Sequence, residues 1–326
     1  MTTCYYFGID AGNSKTQGLI ADSEGHVLAL IHAGGGNWEG IGLEGARAVY
    51  ADVLARALAT AGLTINQIAA AGYGLAGYDF PSDDARLRPV IESLGVPGPF
   101  FLENDTLIAL RAGTSRPYGV VCISGAGSTK AGRNRAGRIF RTWGLASDFG
   151  DWGGGGDLCR AALAAVARAE KGISPPTALT AALLAHYGAA DVTGLMELIS
   201  RARVYRNDYT PLIFAVAAAG DPVATEILLH AGQGLARGIN AVIRALDMQN
   251  EVFELVLAGG VFRAEYPLLR DTLAAEVRAF APGVEIVRLT APPVVGAVLL
   301  AMDEAGQSPD ETIRQRLIAE VLAQLA

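Results

Sequence analysis

The chain of 326 residues is 51% hydrophobic and 18% charged, and it carries a formal net charge of −7 with a pI near 5.2. This length favours about two domains, and the apolar fraction can fill a large core. The sequence has no basic run and no interleaving of basic with aromatic residues, so no nucleic-acid partner is expected. The longest apolar run, residues 294–302, is too short to cross a bilayer, and the N-terminal strand lacks a cationic signal-peptide start. A cytoplasmic enzyme without a membrane partner is therefore expected.

The cysteines and histidines show no metal-binding spacing, and the arginines form one small cluster. The cysteines are odd in number and widely spaced, which predicts neither a disulfide framework nor a zinc motif: Cys4, Cys122 and Cys159. The four histidines are scattered and are expected on the surface or in loops. The densest basic cluster is expected to form a solvated hairpin edge: Arg133, Arg135, Arg138 and Arg141. The oligomeric state stays open, with a homodimer as one alternative.

Residues 5–22 predict a β-hairpin with a polar tip. Asp10 ends the first strand, and Gly12 permits a tight turn. Donor groups follow at the tip, from Asn13, Ser14, Lys15 and Thr16. Backbone N–H groups and a cation suit a polyphosphate, and Asp10 could hold its Mg²⁺ directly or through water. A Walker A loop is excluded because no glycine directly precedes Lys15 and a strand follows. The alternative is a plain hairpin with a polar turn.

A third strand is predicted at residues 26–32, followed by a glycine loop that ends in Asn37 and Trp38. This loop could bring an amide and a ring against a sugar, or Trp38 could simply cover the core. The rest of the first half predicts a helix at 43–61, a strand at 68–75, a helix at 82–94 capped by Ser82, a strand at 100–102 and a helix at 106–112.

Asn104 and Asp105 lie where the predicted strand at 100–102 gives way to a helix. In open α/β sheets, ligands bind at the carboxyl ends of strands. A carboxylate at this point could accept a proton from a hydroxyl. The alternative, favoured by this stretch alone, is that Asp105 is the N-cap of the helix.

The second half repeats the order of the first, with helical insertions. Strands are predicted at 118–123, 128–131, 138–143, 253–257 and 284–289. Helices are predicted at 158–171, in pieces over 176–246 with breaks near Gly188, Asn207 and residues 220–222, at 266–280, and after Pro292-Pro293. A glycine-rich loop at 144–156 contains Asp151, which could bind sugar hydroxyls or cap the loop.

Two glycine-containing turns, more than a hundred residues apart, resemble each other. Residues 11–15 have a counterpart in residues 126–130, which include Gly127 and Ser128. This self-similarity indicates two related half-domains whose hairpins could grip one nucleotide from both sides. Gly259-Gly260 follows a later strand and would let a flat ring or ribose approach the backbone, although an ordinary turn is the alternative.

Taken in order, these clusters resemble the acetate kinase, sugar kinase, Hsp70 and actin superfamily. Within it the chain is most similar to the BadF/BadG/BcrA/BcrD-type ATPase family, in particular its N-acetylglucosamine kinase branch. The resemblance covers nearly the whole chain, and its motifs lie at 8–16, 36–38, 103–105, 117–128 and 143–151.

The resemblance implies an α/β fold of two ribonuclease H-like domains around a central nucleotide cleft. The first would span 1–116, joined by a C-terminal helix at 291–326, and the second 117–290. It implies phosphate contacts from Gly12 to Thr16 and from Gly127-Ser128, and adenosine packing near Gly259-Gly260. It also implies that Asp105 takes the proton from the sugar 6-hydroxyl while Asn37 and Asp151 hold other hydroxyls. Asn104 and Trp38 complete the expected sugar site.

The sequence thus predicts an ATP- and Mg²⁺-dependent kinase that phosphorylates the small-molecule sugar N-acetylglucosamine. One departure concerns the sugar: Trp152 stands where the family often has glutamate. Glucosamine or another hexosamine is therefore an alternative substrate. An ATPase that drives a partner protein, or a nucleotide-dependent binding protein without phosphotransfer, are alternatives of other classes.

Overall fold

Two five-stranded sheets with the same strand order organise the computed structural model, which describes residues 4–145, 147–202 and 208–325. The first sheet contains β1 (Tyr5–Ala11), β2 (Thr16–Asp22), β3 (Val27–Ala33), β4 (Ile68–Leu75) and β5 (Phe100–Asn104). Its order is β3-β2-β1-β4-β5, with β1 antiparallel to β2 and parallel to β4.

The second sheet repeats this arrangement. It contains β6 (Gly119–Ser124), β7 (Ser128–Arg133), β8 (Ile139–Arg141), β9 (Phe253–Ala258) and β10 (Val284–Arg288). Its order is β10-β9-β6-β7-β8, so each strand has a counterpart in the first sheet in the same position and direction. The prediction of two related α/β halves is confirmed.

Helices pack on both sheets, and most agree with the sequence predictions. They are α1 (Trp38–Ala61), α2 (Pro81–Glu92), α3 (Asp105–Gly113), α4 (Gly155–Glu170), α5 (Leu179–Tyr187), α6 (Val192–Ala202), α7 (Thr210–Ala218), α8 (Pro222–Ala245), α9 (Leu268–Phe280), α10 (Pro293–Glu304) and α11 (Glu311–Leu325). The break at Gly188 is a left-handed C-cap, and Asp221 caps α8 at the break at 220–222. The break predicted at Asn207 lies outside the described residues.

Several helix boundaries differ from prediction, and three of the differences concern a cap or a break. Helix α1 begins at Trp38 rather than at residue 43, because the Asn37 side chain caps it and Gly42 only kinks it. Ser82 is not an N-cap: α2 begins at Pro81, and the Asp83 carboxylate instead accepts bonds from the two backbone N–H groups just before the helix. The predicted single helix at 291–326 is two helices, separated at residues 305–310.

Helix α10 lies between the halves, and its central residues 294–302 are all buried. Glycines allow its close approach: an added Cβ would lie 2.7 Å from the Val298 nitrogen at Gly8 and 2.0 Å from the Ala297 carbonyl oxygen at Gly72. Apolar residues of α3, α10, β6 and β9 share one cluster between the sheets. A buried ion pair of 2.7 Å between Arg111 and Asp303 joins α3 to the end of α10.

The last helix, α11, returns to the first sheet. The Glu320 carboxylate accepts a bond of 2.7 Å from the Val27 backbone N–H in β3. These contacts support the predicted association of the C-terminal segment with the first half, while the boundaries at residues 116 and 290 stay a prediction. Among the described helices none is long and apolar enough to cross a membrane by itself, although the bent pair α7 and α8 passes that test together.

We expect Gly296→Ala to destabilise the protein because a methyl group there would lie 1.9 Å from the Ile108 carbonyl oxygen in α3. The free energy of unfolding should fall by about 3 kcal/mol, the scale of overpacking in a core. Denaturant unfolding measures it. The matched control is Gly40→Ala in α1, where an added Cβ meets nothing within 4 Å. Equal stability of the two variants would contradict the close packing of α10.

Candidate active site

A cavity of about 450 Å³ lies between the halves, where the strands of both sheets end. The first half lines it with polar residues, and the second half lines it mainly with the turn between β6 and β7. The lining residues that matter for chemistry are Asn13, Asn37, Glu39, Asp79, Asn104, Asp105, Gly125, Gly127, Ser128, Arg141 and Gly144. The predicted residues Asp105 and Gly127, which are far apart in sequence, are therefore brought together.

Asp105 is the first residue of α3, and its neighbour Asn104 is the N-cap. The Asn104 side-chain oxygen accepts a bond of 3.0 Å from the Thr106 backbone N–H and another from the Thr106 hydroxyl. The interpretation of Asp105 as the helix cap is thus wrong, since Asn104 already fills that position. The Asp105 carboxylate instead lines the cavity.

Carboxyl groups in this region repel one another. Burial, and then the charge of Asp79, raise the pKa of Asp105 to about 6, while Arg141 opposes the shift. Burial, and then the charge of Asp105, raise the pKa of Asp10 to about 7, while Lys15 opposes it. Two carboxyl groups that interact in this way form a suitable environment for a divalent cation.

Both hairpin turns reach the cavity, the first through Asn13 and the second through residues 125–128. In the first turn the Gly12 N–H donates to the Lys15 carbonyl at 2.9 Å, and Asn13 accepts a bond of 2.7 Å from the Asn37 amide. In the second turn the Gly125 N–H donates to the Gly127 carbonyl at 2.9 Å. An added Cβ at Gly127 would meet nothing within 4 Å, so the space beside this backbone is free for a ligand.

Lys15 opens onto a neighbouring cavity of about 570 Å³. Arg263 and Arg288 line the same cavity, and its described lining includes no carboxylate, so it suits an anion. Ser14 is exposed at the turn, whereas Thr16 is buried and its hydroxyl has no partner among the described residues.

Gly260 lines a third cavity, of about 600 Å³, together with Pro211, Phe214 and Arg263. This cavity reaches Gly125 and therefore adjoins the turn that lines the first cavity. Gly259 has φ 102°, and an added Cβ would lie 2.2 Å from the Ser124 carbonyl oxygen, so only glycine fits there. Gly259 thus lies in a tightly packed turn, while the next residue, Gly260, lines the cavity beside Pro211 and Phe214.

Three sequence candidates have side chains engaged elsewhere. The Asp151 carboxylate is buried, accepts a bond of 2.6 Å from the Gly144 N–H and lies 3.7 Å from the Lys130 ammonium. The Ser128 hydroxyl donates to the Asp151 carbonyl at 3.1 Å. The Trp38 indole donates to the Gly77 carbonyl at 2.7 Å. Asp151 and Trp38 are not among the residues that line the first cavity, and their roles stay predictions.

Sequence reasoning missed charged residues of the site: Glu39, Asp79, Arg141, Arg263 and Arg288. Asp79 had a signal, because it lies in the turn after β4, near the carboxyl end of a strand. Arg141 had none, since it belongs to an arginine cluster expected at a solvated edge. That expectation is wrong for Arg141, whose side chain is only 13% exposed.

Comparisons with known proteins find similar proteins along nearly the whole chain. A model of the BadF/BadG/BcrA/BcrD ATPase family matches residues 7–301. Over 303 residues the chain is 30% identical to a Clostridium acetobutylicum protein named N-acetylmuramic acid/N-acetylglucosamine kinase, covering 92% of this chain and 99% of the relative. Over 315 residues it is 30% identical to the N-acetyl-D-glucosamine kinase of Dictyostelium discoideum, covering 91% and 98%.

A crystal structure has a similar fold. It is of a Chromobacterium violaceum protein provisionally assigned as an N-acetylglucosamine kinase, with a TM-score of 0.65 and 25% identity. The match covers 91% of this chain and 99% of that one.

We expect Asp10→Asn to stabilise the metal-free protein at pH 8. A carboxyl whose pKa is raised in the folded state contributes stability below its unfolded pKa and loses it as the pH rises through about 7. The melting temperature at pH 8 should therefore rise by about 2 °C, which corresponds to roughly 1 kcal/mol. At pH 4 the gain should shrink.

The matched control is Asp52→Asn, which changes an exposed carboxylate on α1 and should leave the melting temperature nearly unchanged. A lower melting temperature for Asp10→Asn than for the unaltered chain at pH 8 would contradict the prediction. It would show that the charge of Asp10 does not destabilise the metal-free protein.

Proposed function

The chain belongs to the BadF/BadG/BcrA/BcrD ATPase family, and we propose that it is an ATP-dependent kinase that phosphorylates the 6-hydroxyl of N-acetylglucosamine. The observation that carries the proposal is the shared cavity: Asp105, which does not cap its helix, and the turn at Gly127 both line it. We assign the enzyme to the cytoplasm, where ATP is available.

Asp105 is the general base of the proposed reaction. A sugar hydroxyl attacks a phosphorus atom only when its proton has an acceptor within hydrogen-bond reach. The Asp105 carboxylate accepts that proton, the hydroxyl oxygen bonds to the γ-phosphorus, and ADP leaves on the opposite side. With a pKa of about 6, Asp105 is mostly ionised at neutral pH and can act as a base.

The nucleotide is proposed to lie along the second half. Gly12, Asn13, Ser14, Lys15 and Thr16 on one side and Gly127-Ser128 on the other flank the phosphates. The adenosine enters the cavity beside Gly259-Gly260. Three cations support this orientation of the nucleotide: Lys15, Arg263 and Arg288. They line an adjoining cavity whose described lining includes no carboxylate.

The residues present fit a magnesium ion, because burial and the charge of Asp105 raise the pKa of Asp10, and a cation would relieve this repulsion. Mg²⁺ in kinases is usually held by one or two carboxylates and the phosphates of the nucleotide. We propose Asp10 as its protein ligand, directly or through water. When bound, the ion neutralises phosphate charge during transfer.

Sugar binding is assigned to the wall that surrounds Asp105. Asn37 and Asn104 lie on this wall, although both amides already hold protein groups: Asn37 the turn at Asn13, and Asn104 the carbonyl of Tyr78 and the Asp79 carboxylate. The two amides would therefore bind sugar hydroxyls through hydrogen-bonding positions that are still free, or after they exchange a present partner for the sugar. Trp38 and Asp151 support the wall from behind in the present geometry and are proposed to shape it.

Release of ADP in the presence of different sugars tests the function. N-acetylglucosamine should stimulate it strongly, and ATP turnover without sugar should be slow. Stronger stimulation by glucosamine or another hexosamine would assign that substrate instead. Turnover that depends on an added protein rather than on a sugar would favour a partner-driving ATPase, and the proposed kinase function would then be wrong.

We expect Asp105→Asn to lower kcat for N-acetylglucosamine by about 100-fold or more, the usual scale for a positioned base. The variant should fold normally and bind ATP nearly as before, because Asn104 keeps the helix capped. Coupled measurement of ADP release gives kcat, and calorimetry gives ATP affinity.

The matched control is Asp271→Asn, which also changes an acidic residue in the first turn of a helix, but an exposed one on α9. Its kcat should be unchanged. Near-normal phosphorylation by Asp105→Asn would mean that another group is the base.

We also expect Gly127→Val to raise the Michaelis constant for ATP by about tenfold or more, since the added side chain would occupy the open space beside the turn. Folding should be little affected because no protein atom lies within 4 Å of the added Cβ. Gly40→Val, in open space on α1, is the control. Unchanged ATP kinetics in a folded Gly127→Val would contradict the two-hairpin grip.

A further inference from the structure

Arg141 on β8 reaches across the mouth of the first cavity to the opposite half. Its guanidinium donates to the Asp79 carbonyl at 2.6 Å and to the Tyr78 carbonyl at 3.3 Å. The same group lies 3.1 Å from the Asp79 carboxylate. The side chains of Arg141 and Asp79 are only 13% and 17% exposed, so water competes weakly for this ion pair.

Asp79 passes the contact on to the segment that carries Asp105. The Asn104 amide donates to the Asp79 carboxylate at 3.1 Å and to the Tyr78 carbonyl at 3.3 Å. The oxygen of the same amide caps α3, whose first residue is Asp105. A continuous path of polar contacts thus runs from the second half to the first turn of α3, whose first residue, Asp105, lines the cavity.

A second contact crosses the mouth nearby, between the rings of Phe80 and Trp143, whose centres are 6.1 Å apart. These rings are 41% and 57% exposed, so the contact is weaker and looser than the buried ion pair. Of the two, the Arg141 contact is the one that can fix a geometry, because three oxygen atoms of the opposite half hold one planar guanidinium.

We propose that Arg141 is a positioning residue that orients Asp105, through Asp79 and Asn104, only when the two halves are closed. The proposal rests on the proposed sugar kinase function and adds to it a residue of the opposite half. Opening of the cleft would withdraw the guanidinium, so the base would be oriented for proton transfer only around an enclosed substrate. Such a coupling favours the sugar over water as the acceptor, because an open site holds a poorly placed base.

The charges around Asp105 make this dependence measurable. The groups that face it or its neighbours are Asp10, Lys15, Glu39, Asp79, Glu103 and Arg141. Lys15 acts on Asp10, which leaves Arg141 as the cation that lowers the pKa of Asp105. Loss of the guanidinium should therefore shift the acidic limb of the pH profile to higher pH.

The test compares Arg141→Gln and Arg141→Lys with Arg138→Gln, using full-length protein and N-acetylglucosamine. Arg138 adjoins the same strand, but its exposed guanidinium pairs with Asp247 inside the second half. Arg141→Gln should lower kcat/KM for the sugar about tenfold or more, the scale of a misplaced catalytic group. It should leave the Michaelis constant for ATP within about twofold, shift the acidic limb upward and be only partly rescued by lysine.

A double-mutant cycle with Asp79→Asn separates positioning from a general effect on the fold. If the two residues act along one path, Arg141→Gln should cost much less in the Asp79→Asn background than in the unaltered chain. Additive losses would overturn the proposal. So would Arg141 variants that change only the melting temperature and match Arg138→Gln in kcat/KM and pH profile.

The activity of the unaltered chain distinguishes failure of the kinase function from failure of the positioning role of Arg141. If no sugar stimulates ADP release by that chain, the kinase function fails whatever Arg141 does. If sugar phosphorylation proceeds and Arg141→Gln matches the control, only the positioning role fails.

Discussion

Repulsion between buried carboxylates is the constraint around which this molecule is arranged. Asp79 and Asp105 line one cavity, and the charge of Asp105 also raises the pKa of Asp10. Burial of like charges is unfavourable unless cations or bonded protons compensate for it. The compensation comes from two directions: Lys15 lies on the same hairpin as Asp10, whereas Arg141 belongs to the opposite half. The charge balance of the cavity therefore adds an ion pair between the halves to the apolar cluster that joins them.

A rigid frame holds these charges in place. Helices α3 and α10 lie between the sheets, and Gly72 and Gly296 allow backbone to approach backbone there. Because α3 begins at Asp105, the packing of its far end against α10 fixes the direction in which the cavity residue emerges. The hairpin turn at Gly127, in contrast, has open space beside it, and Asn13 of the other hairpin turn lines the same cavity. Packing is thus dense behind the site and open in front of it.

Local patterns predicted most of the fold because each strand and turn carries its own signal. The repeat of Gly12 in Gly127 predicted the duplicated sheet, and strand ends located Asp105. One error is local: Asn104 rather than Asp105 caps α3, and the two neighbouring residues are of types that cap helices about equally well. The other has a long-range cause: Arg141 reaches out of its own half to Asp79. That partner cannot be read from spacing, because 62 residues separate Arg141 from the Asp79 carbonyl.

Because α11 returns to the first sheet, the unit formed by this sheet and its packed helices comes from two separate stretches of the sequence. The Arg316 guanidinium donates to the Glu24 carbonyl at 2.6 Å, and the next residue back, Ser23, donates to the Cys4 carbonyl at 3.0 Å. The beginning and the end of the described chain therefore lie beside each other. A circular permutant that places residues 291–325 ahead of residue 4 would join this unit into one stretch, whereas a fragment that ends at residue 116 would expose the face on which α10 packs. The structural units of this protein are therefore defined by which segments pack together and not by which segments are neighbours in sequence.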